Sequence, residues 1–314
     1  MKTRVLLYCI LSMAIGATVA WLASSHTLGD PTFNVATYNI RMKNNNDSLA
    51  GNGWERRAPY VAQLIQFHGF DIFGTQEGFK VQLEDLKKAM PNYEYIGVGR
   101  DDGKEQGEHS AIFYRSDLFN VVDHGDFWLS ETPEKPGLGW DAACVRICTW
   151  GKFQHIASGR EFLFFNLHMD HIGKEARVES AKLIKNKIIE FGSDLPTFLT
   201  GDFNVTQDSP SYNTIIDGGM LSDAHDVADL TYQLNGTFNS YNSEGFTNER
   251  IDHIFVSPNV HVIKYGVLTD TYRTPEADST DMHANDAPSE LKLSKFKART
   301  PSDHFPVKTV VELK

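Results

Sequence analysis

Two short motifs place oxygen donors and an imidazole where hydrolytic chemistry could use them. Thr200-Gly201-Asp202-Phe203-Asn204 follows the apolar run Thr197-Phe198-Leu199. If that run is a buried strand, Asp202 and Asn204 share a face, because side chains two apart on a strand point the same way. A carboxylate can ligate a hard cation or take a proton from water; an amide can ligate through its oxygen or donate to a phosphate oxygen. Taken alone, Asp-x-Asn is more often an Asx turn. Pro301-Ser302-Asp303-His304-Phe305-Pro306 sets a carboxylate beside a titrating imidazole, in a turn that two prolines stiffen. A lone Asp-His pair is more often surface decoration.

Other residues of the right type sit at the ends of apolar runs. Glu77 closes Asp71-Ile72-Phe73-Gly74-Thr75-Gln76, where an unpaired carboxylate would be expensive and a bound cation would remove that cost. His168 lies at the mouth of Phe162–Phe165 followed by Asn166-Leu167, and Asn39 closes Phe33–Tyr38. Asp252, inside Arg250–Phe255, can orient an imidazole. Each has a bland explanation by itself; the joint order is harder to explain that way.

The elements that must hold these residues alternate between strand and helix patterns. Strands are expected at 33–40, 71–77, 110–114, 143–153, 161–168, 197–200, 251–256 and 307–313, from β-rich or continuous apolar runs. Apolar residues at helical spacing predict helices over 54–68, 81–90 and 175–191, the second stopped by Pro91. Adjacent strands mixed with few helices predict an α+β fold of sheets packed under helices. The polar stretch 274–300 reads as a long surface loop or lid just before the Asp303-His304 motif. Cys144 and Cys148, four apart on an expected strand, would sit about 13 Å apart, too far to bridge.

In order along the chain, Thr37-Tyr38-Asn39-Ile40-Arg41, Gln76-Glu77, Asn166-Leu167-His168, Gly201-Asp202-Phe203-Asn204, Ile251-Asp252-His253-Ile254 and Ser302–Val307 resemble the endonuclease/exonuclease/phosphatase (DNase I-like) superfamily, in a bacterial exported branch. The resemblance implies a four-layer α/β sandwich, with two mainly antiparallel sheets flanked by helices and a site at one end of the sheets. It implies that Glu77 is the principal Mg²⁺ ligand, with Asn39 beside it and Asp303 as a further ligand; Mn²⁺ or Ca²⁺ are alternatives. Asp202 would orient or deprotonate the attacking water, and Asn204 would bind a phosphate oxygen. His304, held in its tautomer by Asp252, would donate to the phosphate. His168 resembles a second catalytic histidine of the DNase I-like branch, with Glu108 as its support. Arg41 and Arg146 are candidate phosphate contacts, although a structural salt bridge is at least as good a reading of Arg146.

This set points to a metal-dependent phosphoesterase that attacks a phosphodiester or phosphomonoester with water in line; no covalent nucleophile is required. It leaves the substrate to the loops. A formal net charge of −11, from 41 acidic and 30 basic residues, repels polyanions at long range. It favours a phosphorylated small molecule or a phospholipid head group, with nucleic acid and nuclease activity as the alternative. A catalytically inactive binding module is the remaining rival. Nothing requires an obligate protein partner, and a monomer is expected.

Lys2 and Arg4 precede an uncharged, largely apolar stretch from Val5 to Ala23, and Thr18-Val19-Ala20 has the small-x-small form of a signal-peptidase site. Residues 1–30 therefore read as a signal peptide or an N-terminal membrane anchor, and 31–314 as the catalytic domain. Either reading places that domain outside the cytoplasm, in the periplasm or the extracellular space.

Overall fold

Side-chain alternation decides the layers. In Phe162-Leu163-Phe164-Phe165-Asn166-Leu167-His168 successive residues point to opposite faces, and both faces are apolar, so the strand must be covered on both sides. The computed structural model describes residues 30–192, 194–275, 281–282, 286, 288–291 and 293–314. Residues 1–29, with almost all of the expected signal or anchor, lie outside the described residues. Among the described residues no helix is long and apolar enough to cross a membrane.

The first strands are β1 (Thr32–Asn39), β2 (Ile72–Gln76), β3 (Tyr93–Ile96), β4 (Ile112–Arg115), β5 (Phe119–Trp128), β6 (Ile147–His155), β7 (Glu161–His168) and β8 (Thr197–Asp202). After them come β9 (Ser222–Asp223), β10 (Leu230–Tyr232), β11 (Asp252–Val256), β12 (Val260–Val267), β13 (Tyr272–Pro275), β14 (Asp281–Met282), β15 (Leu293–Ser294), β16 (Phe296–Arg299) and β17 (Val307–Leu313). The helices are α1 (Asn45–Leu49), α2 (Trp54–Phe67), α3 (Lys80–Ala89), α4 (Lys174–Gly192), α5 (Pro210–Ile216) and α6 (Ala224–Val227).

One sheet has seven strands in the order β10-β12-β17-β1-β2-β4-β3, the other six in the order β5-β6-β7-β8-β11-β9. Both are mainly antiparallel; β1–β2, β10–β12 and β7–β8 are the parallel pairs. Phe33, Ile72, Phe153, Phe162, Phe164 and Phe198 meet between the sheets. Ala36, Tyr38 and Phe73 face outward onto Trp54, Val61 and Ile65 of α2 and Leu86 of α3. Leu163, Phe165 and Leu199 face the other way, onto Ile184 and Ile188 of α4 and Tyr212 and Ile215 of α5. The layers run helix, sheet, sheet, helix, which is the four-layer sandwich expected.

This topology brings the polar strand ends to one edge. The parallel pair β1–β2 and the parallel pair β7–β8 finish there with Asn39, Gln76, His168 and Asp202. Antiparallel neighbours start there: Asp252 opens β11 opposite Asp202, and Val307 opens β17 opposite Thr37.

Just below that edge the inter-sheet core turns polar. Asn166 continues the inward series of Phe162 and Phe164, and its amide straps the sheets together. Its Nδ2 donates to Thr75 O at 2.9 Å and Ala111 O at 3.0 Å, while its Oδ1 accepts from Gln76 Nε2 at 2.7 Å and Thr200 Oγ1 at 3.1 Å. Gly74 makes room, because a Cβ there would fall inside the Asn166 amide. Gly74→Ala should therefore displace the strap and cost about 1–3 kcal/mol, seen as a lowered thermal midpoint. A midpoint equal to wild type would mean that the strap does not hold the sheets.

Three expectations change. The strand expected from Ala143 begins only at Ile147, because the N–H groups of Ala143 and Cys144 are each taken by Asp170 Oδ2 at 3.1 Å instead of by a sheet. Cys144 and Cys148 therefore do not share a strand, and both are free thiols. The expected loop at 274–300 is rooted in an antiparallel ribbon of β13 with β16, with β14 paired to β15 beyond it. Much of its middle lies outside the described residues.

Candidate active site

Three of the residues at this edge leave their strands through left-handed backbone: Arg41 (φ 56°), Glu77 (φ 64°) and Asn204 (φ 50°). That conformation costs a non-glycine residue about 1–3 kcal/mol and persists only where the surroundings impose it. Part of that imposition comes from Arg57 of α2, which is fully buried. It donates to Asn52 O at 2.7 Å, Ile40 O at 2.8 Å, Pro301 O at 2.9 Å and Arg41 O at 3.1 Å, clamping the Arg41 turn to the segment before Asp303. Ser302 Oγ adds a bond to Asn39 O at 2.7 Å.

The residues singled out in the sequence converge. Asn39 Nδ2 donates to Glu77 Oε1 at 3.0 Å and to Asp202 Oδ2 at 2.9 Å. Glu77 Oε2 also accepts from Met42 N at 3.1 Å, and Asp202 Oδ1 from Asn204 N at 2.9 Å. His304 Nδ1 lies 2.9 Å from Asp252 Oδ2, and its Nε2 is 3.7 Å from Asp202 Oδ2. His168 Nε2 lies 3.0 Å from Asn204 Nδ2 and 3.5 Å from Asp202 Oδ2. Phe238 packs edge-on against His304, with centroids 5.0 Å apart, and stays partly exposed at the rim.

The electrostatics follow from burial. Asp202 is pushed up to about 7, first by burial and then by the Asp252 carboxylate. Burial works against a charged His304, but Asp252 and then Asp202 outweigh it and raise its pKa well above the ordinary value. His304 is thus an imidazolium whose Nδ1 donates to Asp252 and whose Nε2–H faces the pocket. His168 goes the other way: burial, then the charges of Arg146 and Arg100, hold it well below the usual range. A neutral His168 whose Nε2 accepts from Asn204 carries its proton on Nδ1.

The donor set fits a hard divalent cation. Glu77 and Asp202 bring carboxylate oxygens within 4.8 Å of each other, and the charged His304 beside them is a donor rather than a ligand. Charged carboxylates in this number are not balanced by Arg41 alone, whose Nη1 stands 3.4 Å from Asp303 and 3.8 Å from Glu77 and whose Nε is held by Asp47 at 2.9 Å. Oxygen-rich sites of this kind suit Mg²⁺, Mn²⁺ or Ca²⁺.

Some placements differ in detail from the expectations. Asn39 turns its nitrogen toward the carboxylates and its Oδ1 toward Arg41 N at 3.0 Å, so ligation through oxygen requires the amide to turn over. Asp303 belongs to the wall but points at Arg41 and at Ser302 Oγ, 3.3 Å away. Asn204 Nδ2 also gives a proton to Met169 O at 3.0 Å, so it must exchange a bond to meet a phosphate. Glu108 does not hydrogen-bond His168: the gap to Nδ1 is 3.7 Å, and the carboxylate is taken by Arg100 Nη1 at 2.6 Å. Arg146 carries the structural ion pair weighed for it, with Nε 3.5 Å from Asp170 Oδ2, and also lines the pocket.

Arg100, His171 and Phe238 line the same cavity and went unassigned in the sequence. His171 stands three residues after His168, a spacing that could have drawn attention to it. Arg100 lies in a glycine-rich turn with no catalytic signature. Behind it Trp128 is buried, with its Nε1 bonded to Arg100 O at 2.7 Å.

The chain is similar to solved structures from Bacteroides thetaiotaomicron. One, named a mannosyl-6-phosphatase, is 56% identical with a TM-score of 0.82; the match covers 89% of this chain and 99% of that one. Another, an endonuclease/exonuclease/phosphatase family protein, is 55% identical with a TM-score of 0.84 over 91% of this chain and 99% of that one. An uncharacterized protein of Acanthamoeba polyphaga mimivirus, L388, is 32% identical over 170 residues, 52% of this chain; the chain spans 63% of the length of that relative. The model of the Endonuclease/Exonuclease/phosphatase family matches residues 36–304. With that match spanning most of the sandwich and the site at its edge, the chain belongs to the endonuclease/exonuclease/phosphatase family of phosphoester hydrolases.

Proposed function

We propose that the chain is a divalent-cation-dependent phosphomonoesterase acting on a sugar phosphate outside the cytoplasm. The observation that carries this reading is that the reactive cluster lines a half-open cavity of about 450 Å³. That size suits a small ester, where a polymer would need a long basic groove. The net charge of −11 agrees, and so does the likeness to a protein named mannosyl-6-phosphatase. The apolar stretch after Lys2 and Arg4 supports export or anchoring; the mass of the mature N-terminus separates the two.

Glu77 would hold the cation, with Asn39 and Asp303 as further donors. When bound, it would offset the charge of the phosphate and polarise an oxygen on it. Asp202 accepts a proton from the attacking water, and a carboxyl poised near neutrality suits a general base. Its Oδ1 accepts from Asn204 N and its Oδ2 from Asn39 Nδ2, and Oδ2 keeps a second lone pair for the water. His304 donates from Nε2 to a phosphate oxygen, with Asp252 fixing its tautomer. Water oxygen joins the phosphorus, the bond from phosphorus to sugar oxygen breaks with its electron pair on the sugar oxygen, and that oxygen takes a proton from solvent to leave as the alcohol while Asp202 gives up the water's proton. Phe238 offers a partly exposed ring at the rim against which a sugar face can rest.

Two experiments test this. Phosphate release by the purified full-length chain should be fastest on hexose 6-phosphates and slow or absent on phosphodiesters and oligonucleotides; a preference for oligonucleotides would install the nuclease reading instead. Asp252→Asn should lower kcat by about 10²–10⁴-fold with a thermal midpoint near wild type, because His304 loses its partner and its charge. Unchanged turnover in that variant would remove His304 from the chemistry.

A further inference from the structure

The cavity has two unlike faces. Glu77, Asp202 and Asp303 form one, with Arg41 over them. Arg100, Arg146 and His171 stand on another, with Glu108 between that group and His168. Both arginines are held from behind. Arg146 is almost fully buried, its Nη2 lies 3.1 Å from His171 Nδ1, and its Nε faces Asp170. Asp170 is itself fixed by the N–H groups of Ala143, Cys144, Ile172 and Gly173. Arg100 is braced by Glu108. The Nε of each arginine is buried without a hydrogen-bond partner among the described residues. Arg100, Arg146, Glu108 and His168 line one small recess together, so both guanidiniums face the same space.

Guanidinium groups present planar, fixed donors that match phosphate oxygens. At neutral pH a phosphomonoester carries close to two negative charges, since its second pKa is about 6; a diester carries one. The monoester also has three terminal oxygens where a diester has two. A cation and His304 on the carboxylate side can engage two of these oxygens. In a monoester the third is an anion; in a diester that position is an ester oxygen bearing carbon, which would press an uncharged group onto two desolvated guanidiniums.

We propose that Arg100 and Arg146 form a cationic wall that holds the third terminal oxygen of the substrate and thereby selects phosphomonoesters over phosphodiesters. This rests on the phosphomonoesterase reading above and adds the residues that enforce it.

The test compares kcat/KM of the full-length chain on p-nitrophenyl phosphate and bis(p-nitrophenyl) phosphate with Mg²⁺. Arg100→Gln and Arg146→Gln should each lower monoester kcat/KM by about 10²-fold, on the scale of one lost charge-assisted contact in a desolvated site. Diester kcat/KM should stay within about threefold, so the ratio of the two collapses, and inhibition by inorganic phosphate should weaken in parallel. Because Arg146 rests on Asp170, its Gln variant is paired with Arg146→Lys, which keeps the charge and should recover part of the selectivity. Should R146Q melt far below wild type, Arg100→Gln carries the test, since its guanidinium lies at the cavity surface. Equal loss on both substrates, or no loss on either, overturns the wall while leaving a monoesterase standing. Wild-type protein that turns over diesters but not monoesters, or neither, overturns the monoesterase reading and the wall with it.

Discussion

Asp202→Asn should lower kcat by about 10³-fold or more and leave the chain at least as stable as wild type. The two halves have one cause. Asp202 is 2% exposed, sits 2.9 Å from an amide, and faces Asp252 across paired strands. Its ionised form is what the chemistry needs and what the fold tolerates least, because burial and the Asp252 charge both oppose it. An amide of the same shape keeps the bond from Asn204 N and removes the charge. The sign of the pH effect is fixed as well. A carboxyl whose folded pKa is raised holds its proton more tightly in the folded state, so the wild type in chelator should lose stability as pH rises from about 4 toward 7. Asp202→Asn should lack that component. Calorimetric melts of both proteins across this range check it. A variant that melts well below wild type at neutral pH would make Asp202 a structural residue.

Chelation should have the next largest effect. EDTA should abolish turnover, and Mg²⁺ or Mn²⁺ should restore it. The same cation should raise the thermal midpoint, since a ligand at 100 times its dissociation constant stabilises the folded state by about 2.7 kcal/mol. For a domain of this size that corresponds to roughly 4–5 °C. Glu77→Gln should remove most of the shift, because the Glu77 carboxylate is the principal oxygen donor of the group. Asp303→Asn should weaken it less, as Asp303 is turned toward Arg41. A midpoint indifferent to divalent cations would argue against a resident metal, and an equal shift in Glu77→Gln would move the metal elsewhere.

How far the sequence carried is best seen strand by strand. β1, β7 and β8 were legible as largely apolar runs that each end in a polar residue a buried strand would otherwise avoid, and β17 from its alternation of buried, mostly apolar residues with half-buried ones. α2, α3 and α4 followed from local periodicity and proved accurate to about a turn. β5 was invisible: much of it is exposed, and Asp123-His124-Gly125-Asp126 breaks any alternation, so only pairing with β6 makes it a strand. β3 is short and largely half-buried, and β12 carries a register shift between Val262 and Lys264, so each owes its place to its neighbours.

At the site, residue types were legible and their orientations were not. The order of motifs named Asn39, Glu77, His168, Asp202, Asn204, Asp252 and His304, and the strand ends bring all of them together. Which atom of the Asn39 amide faces Glu77, or whether Glu108 reaches His168, depends on Arg41 and Arg100 arriving from other turns. Left-handed backbone at Arg41, Glu77 and Asn204 has no signature in the residue types. Arg57 works through contacts distant in sequence, which no local pattern announces.

The most direct measurement is hydrolysis of mannose 6-phosphate by the full-length protein with Mg²⁺ in water enriched in oxygen-18, followed by phosphorus NMR of the product. Attack of an Asp202-prepared water on phosphorus predicts inorganic phosphate carrying one labelled oxygen, with release strongly reduced in Asp202→Asn and lost in EDTA. Unlabelled phosphate, or phosphate release that persists in both controls, would contradict it.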